Sequence, residues 1–380
     1  MTTSIKKFLG NVALVIAALT VSFGIGEVAV RLLYKNETVL FPRYHTGYQY
    51  GRYYVRGIRG NMDYRMTSVD GSWRFVTNSR GFRNTREISY AKPDDTIRVL
   101  SLGDSHTQGY EVRQEMTFSA VLERELRRHG RKSEVINAGV SGFSTAEELV
   151  FLENEGIKYS PDAVVLGFYA NDFEDNLKAG LFGLDAQNRL TEKSHVHLPG
   201  VRIQDAIYGI PGVQWLSENS YFYSMFFNKI WEFFKVRLAV IAEAQTTENG
   251  ETGVAATKAF EYAVPTGTKF SGYEIALTAA LIERMHRFCE ERGIRFIVAD
   301  IPVRVGPYRY QSSVPQALLD RMMASRVEYL SSMSFLQRYD GAAEMHVPNG
   351  HRHISEFTHT LIGVEIGRQL TRSGTDAVKK

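Results

Sequence analysis

The chain has a single cysteine, Cys289, among its 380 residues. One thiol excludes an internal disulfide and any multi-cysteine zinc or iron–sulfur site. In "RMHRFCEERG" it falls in a helical pattern and reads as a small buried hydrophobe. Concentrated positive charge is equally scarce. Net charge is +3, and no block of Lys and Arg is dense enough to follow a phosphate backbone, which argues against nucleic acid as a partner. No internal repeat is present. With 44% hydrophobic and 23% charged residues the composition is globular rather than disordered.

Apolar sequence is concentrated at the N-terminus. Behind Lys6 and Lys7, "FLGNVALVIAALTVSFGIG" runs nineteen residues without a charge before Glu27. A helix of about 20 apolar residues crosses the ~30 Å hydrocarbon core of a bilayer. The two leading lysines place residues 1–7 in the cytoplasm and the body on the far side. The expectation is a single-pass anchor over residues 8–27 in a cell inner membrane, with a periplasmic body. The alternative is a cleaved signal peptide, with Gly24 and Gly26 ahead of the cut.

Residues 28–95 are rich in Tyr, Arg and Gly ("GYQYGRYYVRGIRG", "GSWRFVTNSRGFRN") and read as a lead-in layer of short strands and turns. From residue 96 the texture changes. "TIRVLSL", "SEVINAGVSG", "PDAVVLGFY" and "IRFIVADIPV" read as strands separated by helical stretches, among them "TFSAVLERELRRHG" with Thr117 as N-cap. Such alternation points to an α/β fold, a parallel sheet covered by helices. Residues 177–270 break it as an insertion. There an aromatic helical stretch, "WLSENSYFYSMFFNKIWEFFKVRLAVIA", precedes a polar loop, "EAQTTENGETGVAATK". The main domain ends near residue 372, and residues 373–380 form a polar tail.

Three strands end in polar loops flanked by small residues: "GDSHTQG", "NAGVSG" and "YANDFEDN". Near the C-terminus "NGHRHISEFTHTLIGVEIGRQL" is a histidine cluster opening a helix, with Ser355 as N-cap. In this order the four segments resemble the blocks of the SGNH hydrolases, the GDSL esterases and lipases. The likeness spans about residues 96–372 outside the insertion. The N-terminal anchor, "NSRGFR" and "NDFEDN" are similar to a membrane-attached bacterial branch of that family.

The resemblance implies a three-layer α/β/α domain with a parallel central sheet. It makes Ser105 the nucleophile and His353 its base. It builds an oxyanion hole from the Ser105 and Gly139 amides and the Asn171 side chain, and it calls for neither cofactor nor metal. The chemistry is coherent, because a serine hydroxyl attacks well only when a base takes its proton. Donors aimed at the developing oxyanion then stabilise the transition state. Asp104 and Asp172 are expected to be structural, bonding loop amides.

Two departures stand out. Tyr169 occupies the position where the third block usually has glycine, and is expected to narrow the pocket. The acid that usually lies two or three residues before the histidine is absent, since those positions are His351 and Gly350. His351 is the second choice of base. Either a backbone carbonyl orients His353 or an acid comes from elsewhere, Asp340 and Glu344 being nearest in sequence.

A metal site is the rival use of these side chains, because His346, His351, His353, Glu356 and His359 lie within fourteen residues. On a helix begun at His353, however, His359 is rotated about 240° away. A stripe of solvent-facing histidines is expected instead.

The expected function is hydrolysis of carboxylic esters, O-acetyl groups on an envelope polysaccharide or glycoconjugate. A lipid esterase or lysophospholipase, an acyltransferase, and a non-catalytic glycan-binding or assembly protein with a degenerate site are the alternatives.

Overall fold

The computed structural model describes residues 3–198, 200–230, 233 and 269–376. The polar loop expected over residues 243–258 and the last four residues of the tail lie outside them. Helix α1 (Thr3–Leu33) leads. Two antiparallel hairpins follow, β1 (His45–Tyr50) with β2 (Tyr53–Ile58), and β3 (Asp63–Ser68) with β4 (Gly71–Val76). The alternating region holds β5 (Thr96–Gly103), α2 (Ser105–Gln108), α3 (Phe118–Arg128), β6 (Lys132–Asn137), α4 (Thr145–Asn154), β7 (Ala163–Phe168) and α5 (Asp172–Ala179).

The insertion contains β8 (Phe182–Leu184), β9 (Leu190–Glu192), β10 (Val196–His197), α6 (Val201–Tyr208), α7 (Val213–Asn219) and α8 (221–230). The chain closes through α9 (Gly272–Glu290), β11 (Arg295–Asp300), the hairpin β12 (Val303–Gly306) and β13 (Arg309–Gln311), α10 (Gln316–Ala324), β14 (Glu328–Leu330), α11 (Met333–Leu336) and α12 (Glu356–Asp376).

Five strands form one sheet in the order β6-β5-β7-β11-β14, and every neighbouring pair is parallel. Side chains alternate across it. Val99, Val135, Val165 and Ile297 face one core with Phe118 and Leu122 of α3 and Ile362 and Ile366 of α12. Leu100, Ile136, Val164 and Val298 face the other, with Leu149 of α4 and Leu281, Ile282 and Met285 of α9. A strand buried on both faces must be apolar at both parities, which is why these segments read as unbroken apolar runs. The expected three-layer α/β/α architecture is thus observed. The short strand β14 adds an edge that its three residues did not announce.

Strand order fixes the site. From β5 the chain goes to β6 on one side, and from β6 it crosses back to β7 on the other. Open α/β sheets bind ligands where the order reverses, outside the carboxyl ends of the strands. Here that place is the gap above β5 and β7.

The insertion is not a separate body. Its β10 pairs in parallel with β2, and Asp205 of α6 forms an ion pair with Arg59, so lead-in and insertion make one layer. The aromatic helical stretch, expected over residues 215–242, is broken at Ser220, which is extended, into α7 and α8, and its residues 231–232 and 234–242 lie outside the described ones. Helix α1 is long and apolar enough to cross a membrane, and its most apolar window is entirely unburied.

Arg98 ties the start of the sheet together. Its side chain is wholly buried and reaches the Tyr159 carbonyl at 2.6 Å, the Tyr90 carbonyl at 3.1 Å and Glu134 at 2.6 Å. Breaking a buried charged network by removing one partner costs about 3–5 kcal/mol. Arg98→Met should therefore lower the urea midpoint of the protein sharply. Arg74→Met, which breaks the exposed pair with Asp63, should leave that midpoint in place.

Candidate active site

Ser105 opens α2 directly beyond β5. Gly103 turns the chain at φ +149°, and a Cβ there, or on the neighbouring Gly167 of β7, would overlap the Thr107 hydroxyl. Glycine is needed at both places so that α2 can sit down on the strand ends. Asp104 caps α2 by accepting the His106 amide at 2.8 Å. Its carboxyl is pushed up to about 6, chiefly by burial.

Ser105 is 7% exposed, and its Oγ lies 2.8 Å from His353 Nε2. His353 comes from the loop before α12, 248 positions further along the chain. The other side of its ring meets Glu111, with Nδ1 3.4 Å from Oε2. Glu111 Oε1 accepts the His351 amide at 3.0 Å. Burial pushes the Glu111 carboxyl up. The bonds to His353 and to the His351 amide outweigh it and hold the group below the ordinary range. An ionised carboxylate facing Nδ1 fixes the proton there and leaves Nε2 to accept from Ser105.

Glu111 is therefore the carboxylate that meets His353. Neither expected substitute takes the place: Glu344 accepts the Tyr310 hydroxyl at 2.8 Å, and Asp340 is exposed. His351 is not the base either. Its ring stacks on Tyr110 with centroids 5.3 Å apart, burial lowers its pKa to about 4, and its amide serves Glu111.

The loop that presents Glu111 is held from outside the sheet. Glu111 has φ +65°, a conformation uncommon for a side-chain-bearing residue and one that persists only when its surroundings impose it. Arg83 of the lead-in does so. Its buried guanidinium donates to the carbonyls of Gln108 (2.8 Å), Gly109 and Val112 (2.6 Å), and Nε donates to Gln114 (2.8 Å). Burial lowers its pKa to about 10, so it remains cationic at neutral pH.

Two of the three expected oxyanion donors are hydrogen-bonded within the site itself. Gly139 donates its amide to Asn137 Oδ1 at 3.1 Å, and a Cβ there would overlap the Gln108 backbone. It is a glycine because the β6 loop packs against α2. Gly142, at φ +77°, and Ser105 carry amides with no hydrogen-bond acceptor among the described residues. Asn171 donates through Nδ2 to Asp104 (3.2 Å) and Asp175 (3.1 Å), which set the plane of its amide.

Asp172 does not bond loop amides as expected. Its carboxyl is buried without a hydrogen-bond partner among the described residues, and burial with Glu148 beside it lifts its pKa well above the ordinary range. The Tyr169 ring lies on the His106 ring, 4.1 Å between centroids, and His106 in turn lies 4.8 Å from His353.

The histidines form no solvent-facing stripe. His346, His353 and His359 are buried and His351 is half-buried. His346 Nε2 meets the Pro302 carbonyl at 3.1 Å, and His359 Nδ1 accepts the Phe118 amide at 3.1 Å. Burial keeps both neutral at physiological pH, with pKa values of about 3. Among the described residues no group of three or more His, Cys, Asp or Glu is arranged to hold a metal ion.

A serine, a histidine and a glutamate brought together beyond a parallel sheet agree with the family comparison. The GDSL-like lipase/acylhydrolase family model matches residues 101–314, more than half of the chain, and the chain belongs to that family. An arylesterase of Vibrio mimicus is 35% identical over 75 residues, which are 20% of this chain and 38% of that protein. The chain thus matches well under half of that relative's length. Among solved structures, the lipase/acylhydrolase from Enterococcus faecalis is 16% identical, with a TM-score of 0.40 over 72% of this chain and 95% of that one. A psychrotrophic esterase from Pseudoalteromonas sp. is 13% identical, with a TM-score of 0.39 over 74% of this chain and 100% of that one.

Arg83 touches neither Ser105 nor His353 and acts through the Glu111 loop. Misplacing a reacting group by an ångström costs about 10²-fold in rate. Arg83→Met should slow labelling of Ser105 by a fluorophosphonate by about that factor while unfolding stays cooperative. In a Glu111→Gln background the same change should add almost nothing, since both substitutions remove one function. Independent, multiplying losses would mean that Arg83 acts elsewhere.

Proposed function

We propose that this protein is a serine esterase that hydrolyses carboxylic esters with Ser105, His353 and Glu111. The hydrogen-bonded series Ser105 Oγ–His353–Glu111 carries the proposal. His353 Nε2 takes the Ser105 proton as Oγ attacks the acyl carbon, and returns it to the leaving alcohol oxygen as the tetrahedral intermediate collapses. Water, activated by the same nitrogen, then releases the acid from the acyl-serine. Glu111 holds the ring and balances the imidazolium that forms. The oxyanion is received by the Ser105 amide and by Asn171 Nδ2, one of whose two hydrogens leaves Asp104 or Asp175 as the charge develops. The free Gly142 amide is the loop donor in place of Gly139, which Asn137 occupies.

The presence of Glu111 removes the ground for a degenerate, non-catalytic site. For the substrate we propose small acyl, principally acetyl, esters of an envelope polysaccharide or glycoconjugate. Crowding by His106, Tyr110 and Tyr169 around a largely buried Ser105 supports a small acyl group. Export and anchoring through α1 are part of the proposal, supported by its length, its apolarity and the lysines ahead of it. An exposed aromatic row on α8 favours a second reading, in which the ester belongs to a lipid.

Ser105→Ala should abolish both nitrophenyl acetate turnover and fluorophosphonate labelling, and undiminished turnover in that variant would overturn the assignment. Glu111→Gln should lower kcat by about 10⁴, the loss known when a triad acid is neutralised. Asn171→Ala should lower it by about 10²–10³, as for other single oxyanion donors. A steep fall in kcat/KM from acetyl to decanoyl nitrophenyl esters would support the small-acyl substrate. The opposite slope would select the lipid ester. Resistance to carbonate extraction with α1 intact would support the anchor, whereas mature protein beginning at Glu27 would refute it.

A further inference from the structure

Glu27, the first acid after the apolar run, does not simply end α1. Its carboxylate accepts the Ser220 hydroxyl at 2.7 Å and the amides of Phe222 and Tyr221 at 2.9 and 3.1 Å. It thus caps the start of α8, where free amides and the helix dipole both favour a negative charge. One turn on, Arg31 donates to the Asn219 carbonyl at 2.9 Å and lies over the Tyr221 ring. One turn back, Phe23 meets Phe222 edge-on with centroids 5.3 Å apart, and a Cβ on Gly26 would press into the Phe222 ring.

From that junction α8 has two flanks. Tyr223 and Phe227 stack together, and Arg43 lies over Phe227 at 5.5 Å and bonds Asn228. Arg43 also lies over Phe41, whose ring edges onto Tyr110 and His351 beside the catalytic histidine. This flank belongs to the body. On the other flank Phe222, Phe226 and Ile230 follow one another at helical spacing. Phe222 and Phe226 stack at 5.8 Å, while Phe226 is 56% and Ile230 39% exposed. Trp215 of α7 is exposed as well. Monomeric surfaces rarely present such a row to water.

We infer that α8 is an interfacial helix whose Phe222–Phe226–Ile230 row lies in the headgroup boundary of the bilayer that α1 spans. The occupant is lipid because the row starts on a ring already packed against α1, so the two apolar surfaces are continuous. Aromatic side chains favour that depth, and a helix with one apolar and one body-bound flank lies in the membrane plane. Through Arg43 and Phe41 the helix then holds the catalytic site close to the lipid surface. This inference rests on the proposed membrane anchor.

Site-directed spin labelling of the full chain in phosphatidylethanolamine/phosphatidylglycerol vesicles tests it. In a Cys289→Ala background, single labels are placed through Val15→Cys, Phe226→Cys, Ile230→Cys and Arg128→Cys. Collisions with oxygen and with a water-soluble nickel chelate are then compared. Labels at 226 and 230 should show an oxygen-to-nickel ratio severalfold above that at 128 and below that at 15, which places them at shallow depth. If 15 is in lipid while 226 and 230 match 128, the interfacial helix is refuted and the anchor stands. If both reagents are excluded at 226 and 230, a protein covers the row and the lipid assignment is refuted. A label at 15 that is open to nickel would refute the anchor and the inference with it.

Discussion

The hydrogen bond from Ser105 to His353 joins residues 248 positions apart, and much of the molecule serves to let it form. The serine is placed by the reversal of strand order at β5, through glycines that let α2 settle on the sheet. The histidine is placed by the start of α12, which is held in three ways. Thr358 donates to the Met345 carbonyl at 2.6 Å, His359 accepts the Phe118 amide, and Glu356 pairs with Arg113 through two oxygens. Arg113 lies two residues beyond Glu111, so one ion pair joins the loop bearing Glu111 to the helix that follows His353. Ser105, Glu111 and His353 are thus positioned together.

Carboxyl groups around the site fall into two kinds, separated by what surrounds them. Glu111 is buried but faces an imidazole and an amide, and stays ionised. Glu148 and Asp172 are buried with no donor among the described residues, and burial lifts both well above the ordinary range. A buried carboxyl without donors takes up a proton rather than carry its charge. Glu148 and Asp172 therefore add little negative charge to the neighbourhood of Ser105. Glu111 keeps its charge on the far side of the ring from the serine, where it favours the imidazolium.

Much of this was legible in the sequence, for physical reasons. Strands buried on both faces have to be apolar at every position, so β5, β6, β7 and β11 announced themselves. Helix α3 carried its own cap in Thr117, whose hydroxyl accepts the Ala120 amide at 3.3 Å. The pairing of Ser105 with His353 followed from ordered blocks at strand ends. Glu111 was harder to read, because it lies 242 positions before the histidine it meets rather than beside it. Its signal was present all the same, an acid set between Tyr110 and Val112 in the nucleophile's own block. The engagement of Gly139 by Asn137 depends on how a loop folds back on itself, which residue order does not encode. The burial of the histidines was missed for a similar reason, since partners such as the Pro302 carbonyl carry no side-chain signature.

The origin of Arg83 makes the start of the parallel sheet a poor place to divide the molecule. Everything from Thr96 onward looks self-sufficient, with its own strands, its own covering helices and both reacting residues. Yet the guanidinium that gathers the carbonyls of Gln108, Gly109 and Val112 belongs to the segment before it. A polypeptide trimmed to the sheet and its helices would keep its serine and histidine but lose the bracket on the loop between them. The boundary seen in the secondary structure is therefore not the boundary of the working unit, which reaches back at least to Arg83.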